Sequence, residues 1–327
     1  MNRRNTISAL LALTAAPFCL HAQQPRVARV GILATWPPSN PATVPVWRAF
    51  YAELRTRGWD EGRNLVIEGR YSEGRVEKVP AFASELVAAG VDVIVAGDSL
   101  AVDSSRKATR AIPIVMTNVS HAVEAGYVVS LSHPGGNVTG VTNQLSDLMA
   151  KHVEFLRLVR PNMKKFGVFW SPGNTGSTLA FKDMQTLVRG LGIEVVSLPV
   201  DSPADLARGL AAAQREGVQA LHVHPTSVIG AGYRQIADWA TQHRVISISG
   251  FSGFTRNGFL MSYGADTADV WRTSATFVDR ILRGAQPADL PVEQPTKFEL
   301  VLNLKTAKVL GVTIPQSLLI RATEVIQ

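Results

Sequence analysis

From residue 27 onward the chain alternates short β-branched runs with helical patterns, and this alternation narrows the possible folds more than any other feature. Val-Ala-Arg-Val-Gly-Ile-Leu at 27–33 predicts a strand, followed by a proline-rich loop and a helix over 44–57. A strand at 65–71, a helix at 79–89, a strand at 91–96, a helix at 101–109 and a strand at 112–116 continue the pattern. A short helix is expected ahead of the next strand, 138–141. Connections this short imply parallel pairing and right-handed crossovers, a doubly wound α/β unit. The cycle then restarts, with helices at 148–159, 178–191, 203–216 and 232–243 and strands at 166–170, 193–198, 220–224 and 245–249. No low-complexity linker separates the two sets, so they predict two similar lobes in one body, hinged near 139–143.

After a strand-like 260–264 and a helix at 267–282 the alternation breaks. Pro287, Pro291 and Pro295 space out an extended passage into 298–302, which reads as a further crossing between the lobes. These boundaries divide the chain into a first lobe of 26–142 plus about 255–290 and a second of 143–254 plus about 291–327.

With 327 residues, 46% hydrophobic and 18% charged, the chain is long enough for about two domains with a sizeable core. Its first 22 residues differ from the rest. Arg3 and Arg4 precede an uncharged apolar run, 7–20, that ends in a small residue at Ala22. That is the layout of a secretory signal peptide, too short to span a membrane. Arg3-Arg4 also opens a loose twin-arginine pattern, so the export route stays open. The only cysteine, Cys19, falls inside this segment, and Ala16-Pro17-Phe18 before it make a poor lipoprotein processing site. The exported chain is therefore expected to carry neither thiol nor disulfide.

Without Arg3 and Arg4 the 33 basic residues fall to 31 against 26 acidic ones, a net +5 scattered along the chain. Basic residues in singles and pairs, such as Lys164-Lys165, without interleaved aromatics do not make a nucleic-acid footprint. No later segment has the roughly 18 uninterrupted apolar residues of a membrane span, so a soluble mature protein is expected.

Gly97-Asp98-Ser99-Leu100 spells the signature of a family of serine esterases at the carboxyl end of a predicted strand. A nucleophilic serine needs a base and an orienting acid. The Asp-x-x-His that would supply them occurs nowhere, and no histidine follows His243. Ser99 is better read as part of a helix start whose hydroxyl and N–H groups hold a carboxylate or similar anion. The glycines of His133-Pro134-Gly135-Gly136-Asn137 precede a strand rather than a helix, which argues for a turn over a phosphate cradle. His222 and His224 share one strand face without a cluster of further ligands, so a structural pair and no metal is expected. Trp36, Trp170 and Phe251 fall at predicted strand ends, where rings from two facing lobes would grip a flat apolar ligand.

Three stretches resemble one family together: Ser132 to Gly140, Met261 to Gly264, and above all Leu290-Pro291-Val292-Glu293-Gln294-Pro295-Thr296-Lys297-Phe298-Glu299-Leu300-Val301-Leu302-Asn303-Leu304-Lys305-Thr306-Ala307. In order and over nearly the whole mature chain, they are similar to bacterial ABC-transporter substrate-binding proteins. The resemblance implies a type I periplasmic-binding-protein fold: two Rossmann-like lobes with parallel sheets, three crossover segments, and a ligand enclosed between them. It further implies no catalysis, no cofactor, a monomeric periplasmic protein, and an inner-membrane ABC permease as partner, with tryptophan, tyrosine or a related compound as ligand. A sensory module reporting to a membrane receptor fits the same resemblance. By position, Thr35, Ser99, Leu100, Asn118 and Val119 would line the pocket from the first lobe, and Asn174, Thr175, Thr226, Ser227 and Phe251 from the second. Where relatives carry a Ser-Pro-Ala-type turn, Asp98-Ser99-Leu100 adds a carboxylate beside the implied anion site. Asp98 would then either pair with a ligand ammonium or point outward as part of the helix cap.

Overall fold

The computed structural model describes residues 27–40 and 43–327; the expected signal segment 1–22, with Cys19, lies outside the described residues. The first sheet is formed by β1 (Ala28–Ala34), β2 (Leu65–Tyr71), β3 (Val93–Ala96), β4 (Ile114–Val119) and β5 (Val138–Thr142), in the order β2-β1-β3-β4-β5. All its pairings are parallel. β3 is buried along its whole length, because helices cover both faces of a parallel sheet. One face carries α1 (Val44–Thr56), and the other carries α2 (Val79–Ala88) and α3 (Ser99–Ala108). The short helix expected ahead of β5 is absent: 121–137 runs as turns and bends, pinned by the buried Tyr127 and Val128.

The second half supplies α4 (Leu145–Val159), β6 (Lys165–Trp170), α5 (Thr175–Arg189), β7 (Glu194–Pro199), α6 (Pro203–Arg215) and β8 (Ala220–Val223). It continues with α7 (Ser227–Ala231), α8 (Tyr233–Gln242), β9 (Ile246–Ser249), α9 (Ser252–Thr255) and β10 (Met261–Ala265). Then come α10 (Thr267–Leu282), β11 (Phe298–Asn303), α11 (Leu304–Leu310), α12 (Gln316–Arg321) and β12 (Glu324–Ile326). The seven strands order as β12-β11-β10-β9-β8-β6-β7, parallel except where β11 runs antiparallel to β10.

The chain passes between the two bodies three times. β5 leads through 143–144 into α4. β10 belongs to the second sheet, so the return to the first body starts at Asp266 rather than near residue 255. There α10 packs on α1, with the rings of Trp47 and Trp271 4.6 Å apart. The proline-spaced passage makes the third crossing and binds both others: Thr142 N–H donates to the Glu293 carbonyl, and Asp266 N–H to the Lys297 carbonyl. Asn303 then caps α11 through its side-chain oxygen. The passage resembling the family's C-terminal signature is thus a crossing, an antiparallel strand and a helix cap in series.

Gly140 has a backbone reason to be glycine. It sits at φ 131° where β5 passes the irregular end of β4, and an added Cβ would lie 2.1 Å from the Met116 carbonyl oxygen.

Candidate functional site

Ligands of open α/β sheets bind beyond the carboxyl ends of the strands, where chain turns and helix starts converge. Here the strand ends of two sheets face each other. β1 delivers Thr35 and Trp36, β3 delivers Gly97 and Asp98, and β4 delivers Asn118, held at φ 59°. Opposite them β8 runs into Pro225 and Thr226, and β9 into Phe251. Between the two bodies lies a cavity lined by these residues.

Asp98 ties the site together. It is the N-cap of α3, its Oδ1 accepting from Ala101 N–H at 2.8 Å. Its Oδ2 accepts from the Ser227 hydroxyl of the second body at 2.6 Å, with the Thr35 hydroxyl 3.5 Å away. The single proton of Ser227 is spent on Asp98, so the Thr35 hydroxyl donates to Ser227, 2.7 Å away. Asp98 therefore both caps the helix and faces across the cleft.

Two further bonds cross between the bodies: Thr175 donates to Asp103 at 2.9 Å, and His121 Nε2 meets Asp183 at 2.7 Å. Ser99 does not reach the cavity. It is buried where the first turn of α5 arrives, and a Cβ added to Gly176 would stand 2.5 Å from its hydroxyl oxygen. No histidine is bonded to that hydroxyl among the described residues. The chain is thus in a closed arrangement.

Of the residues expected at the pocket, the structure gathers Thr35, Trp36, Asp98, Asn118, Thr226 and Phe251 around this cavity. Leu100, Asn174, Thr226 and Ser227 line a second cavity. Asn174 spends its side-chain oxygen capping α5. Val119 is fully buried in the first body's core. Trp170 lies elsewhere altogether, stacked on Phe181 at 4.4 Å and bonded to Ser197, because its strand-end position is on the helix-covered face of the second sheet.

Sequence reasoning missed Trp47, Trp271 and Phe254, which complete the wall. Trp47 and Trp271 fall on the apolar stripes of their helices and Phe254 in the short turn of α9, so each reads as core, which it partly is. A distinguishing sign is that the Trp47 indole N–H is buried without a partner, as is the Thr226 hydroxyl. Buried polar groups usually find one.

His222 and His224 extend a buried row rather than open a site. His222 Nε2 lies 3.0 Å from Nδ1 of His152, which bonds the Tyr263 carbonyl through its other nitrogen, and His224 meets the Ser177 hydroxyl at 3.0 Å. Burial drives all three toward the neutral form, His152 to about 4 and His224 to about 3. Among the described residues no group of three or more His, Cys, Asp or Glu is arranged to hold a metal ion. No helix among them is long and apolar enough to cross a membrane.

Comparison with known proteins gives this geometry a context. A tyrosine-binding protein of Clostridioides difficile (strain R20291) is 25% identical over 271 residues, 83% of this chain and 78% of that protein. The crystal structure of a conserved domain protein from Vibrio cholerae superposes with a TM-score of 0.84 at 26% identity, covering 92% of this chain and 100% of that one. An ABC domain from Streptococcus pneumoniae, solved in complex with L-Trp, gives 0.83 at 26% identity over 91% and 99% of the two chains. The fold is that of the type I periplasmic binding proteins. Residues 35–326 match the family model described as ABC transporter substrate binding protein, and the chain belongs to that family.

Proposed function

We propose that the protein is exported to the periplasm, closes its two bodies around a small aromatic solute bearing an amine, and delivers it to an inner-membrane ABC permease without catalysing a reaction. The observation that carries this reading is the central cavity, walled by Trp36, Trp47 and Trp271 from the first body and by Phe251 and Phe254 from the second. A ligand touching both walls stabilises the closed state by the difference in its contacts between open and closed forms. The names of the relatives, one tyrosine-binding and one solved with L-Trp, support an aromatic amino acid or a related amine as the solute class. Ser99, packed on Gly176, has no part in chemistry here.

The test is thermal unfolding of the mature protein against amino acids, aromatic amines, aromatic acids, purines and sugars. A ligand at 100 times its Kd adds about 2.7 kcal/mol to folded-state stability, so an aromatic amine or amino acid is expected to raise Tm by several degrees. A shift confined to sugars or purines sinks the aromatic reading. Loss of solute uptake on deleting the gene tests delivery to the permease.

A further inference from the structure

Resting on the solute-binding reading, we infer that the central cavity is built for an organic monocation: an amine with an aromatic body, a neutral hydrogen-bond acceptor, and no carboxylate. Among the described residues the lining carries one charged side chain, Asp98, and no lysine, arginine or histidine. Around it stand five rings, those of Trp36, Trp47, Trp271, Phe251 and Phe254. The faces of such rings attract a cation and repel an anion. Asp98 accepts two short bonds, from Ala101 N–H and the Ser227 hydroxyl, which leaves acceptor capacity for an ammonium N–H.

The positions where a carboxylate would be expected are taken. The N-terminus of α3 is capped by Asp98 itself, and Ser99 behind it is pressed against α5. A ligand carboxylate placed there would meet a like charge in surroundings of low polarity, which strengthens the repulsion. An outer groove that shares Val46, Phe251 and Thr267 with the cavity carries two arginines, Arg256, which is engaged by Glu299 and Glu324, and Arg234, whose Nε donates to the Tyr233 hydroxyl; neither lines the cavity itself. Trp47 and Thr226, both in the cavity lining, carry an N–H and a hydroxyl with no partner among the described residues, which favours a ligand body with a neutral acceptor.

Isothermal titration with indoles that share one skeleton separates these requirements: tryptamine, tryptophol, L-tryptophan and indole-3-propionate. A second pair, phenethylamine and 3-phenylpropionate, covers a smaller ring. Tryptamine is expected to bind roughly tenfold tighter than neutral tryptophol, and both tighter than the two carboxylates. Asp98→Asn keeps a helix cap while removing the charge, and is expected to erase the advantage of tryptamine over tryptophol, whatever the change in the affinity of either alone. L-tryptophan binding as tightly as tryptamine would overturn the monocation inference and leave the solute-binding reading intact. An unchanged tryptamine-to-tryptophol ratio in Asp98→Asn would do the same. Failure of all six probes also overturns it, and native mass spectrometry then decides the broader reading by whether a small molecule is released from the purified protein.

Discussion

At the scale of single residues, burial and pairing decide what a side chain does, and sequence position alone conveys only part of that. Asp98 was legible as a helix cap or an ammonium partner because Asp before a helix start has few other uses. Its bond to Ser227 was not, since the two lie 129 residues apart and meet only when the bodies face each other. Ser99 and Val119 sat at the expected strand ends, yet one packs against α5 and the other into the core. The row His152–His222–His224 carries a consequence for acid stability. Burial holds the folded-state pKa of each below the unfolded value near 6.5. The unfolded chain therefore takes up protons first as pH falls, and stability, fully present above about pH 6.5, is lost from there toward pH 4. His152 alone contributes a loss of roughly 2 kcal/mol between pH 7 and pH 5. Calorimetry is expected to show Tm falling across that interval, and the fall to be shallower in His222→Phe, whose ring would sit beside Phe166.

At the scale of elements, the βα alternation was readable because strand and helix periods differ and both sheets are parallel apart from the β10–β11 pair, with β-branched runs buried on two faces. Where the alternation stopped, so did the reading. β10 joins a neighbour on each side, one parallel and one antiparallel, and periodicity carries no sign of strand direction. The missing helix before β5 fails for a local reason: Gly126, Pro134 and Gly135 interrupt any helical register across 121–137. Gly140 marks the opposite case, an element that permits one residue only. Gly140→Ala is expected to cost about 3 kcal/mol or more, because both its positive φ and the 2.1 Å approach to the Met116 carbonyl must be relieved. Urea unfolding would register this as a lower midpoint with little change of slope.

At the scale of the whole molecule, two bodies that meet through Ser99 and Gly176 close only as far as those residues allow. Gly176→Ala puts a methyl 2.5 Å from the Ser99 hydroxyl and is expected to shift the population toward the open form, weakening ligand binding roughly tenfold. Alanine is a better helix former than glycine, so weaker binding would not reflect a melted α5. Adding Ser99→Ala removes the clashing oxygen and is expected to restore closure, read as a smaller radius of gyration in small-angle scattering with saturating ligand. Two lobes and a cleft were foreseeable from the doubled βα pattern; the depth of closure was not, because it is set by a pair of small residues 77 positions apart in sequence.

The return of α10 to the first body also sets an order of events in time. The face of α1 that carries Trp47 and Phe50 is completed by Trp271 and Phe277, some 220 residues later in the chain. As the polypeptide emerges from the ribosome, the strands of the first sheet are complete by residue 142, but the layer that covers them on the α1 side stays unfinished until five of the second sheet's seven strands have been synthesised. A nascent chain of this design remains without its full first core for most of its translation, so the first body reaches its final stability only after most of the second has been made.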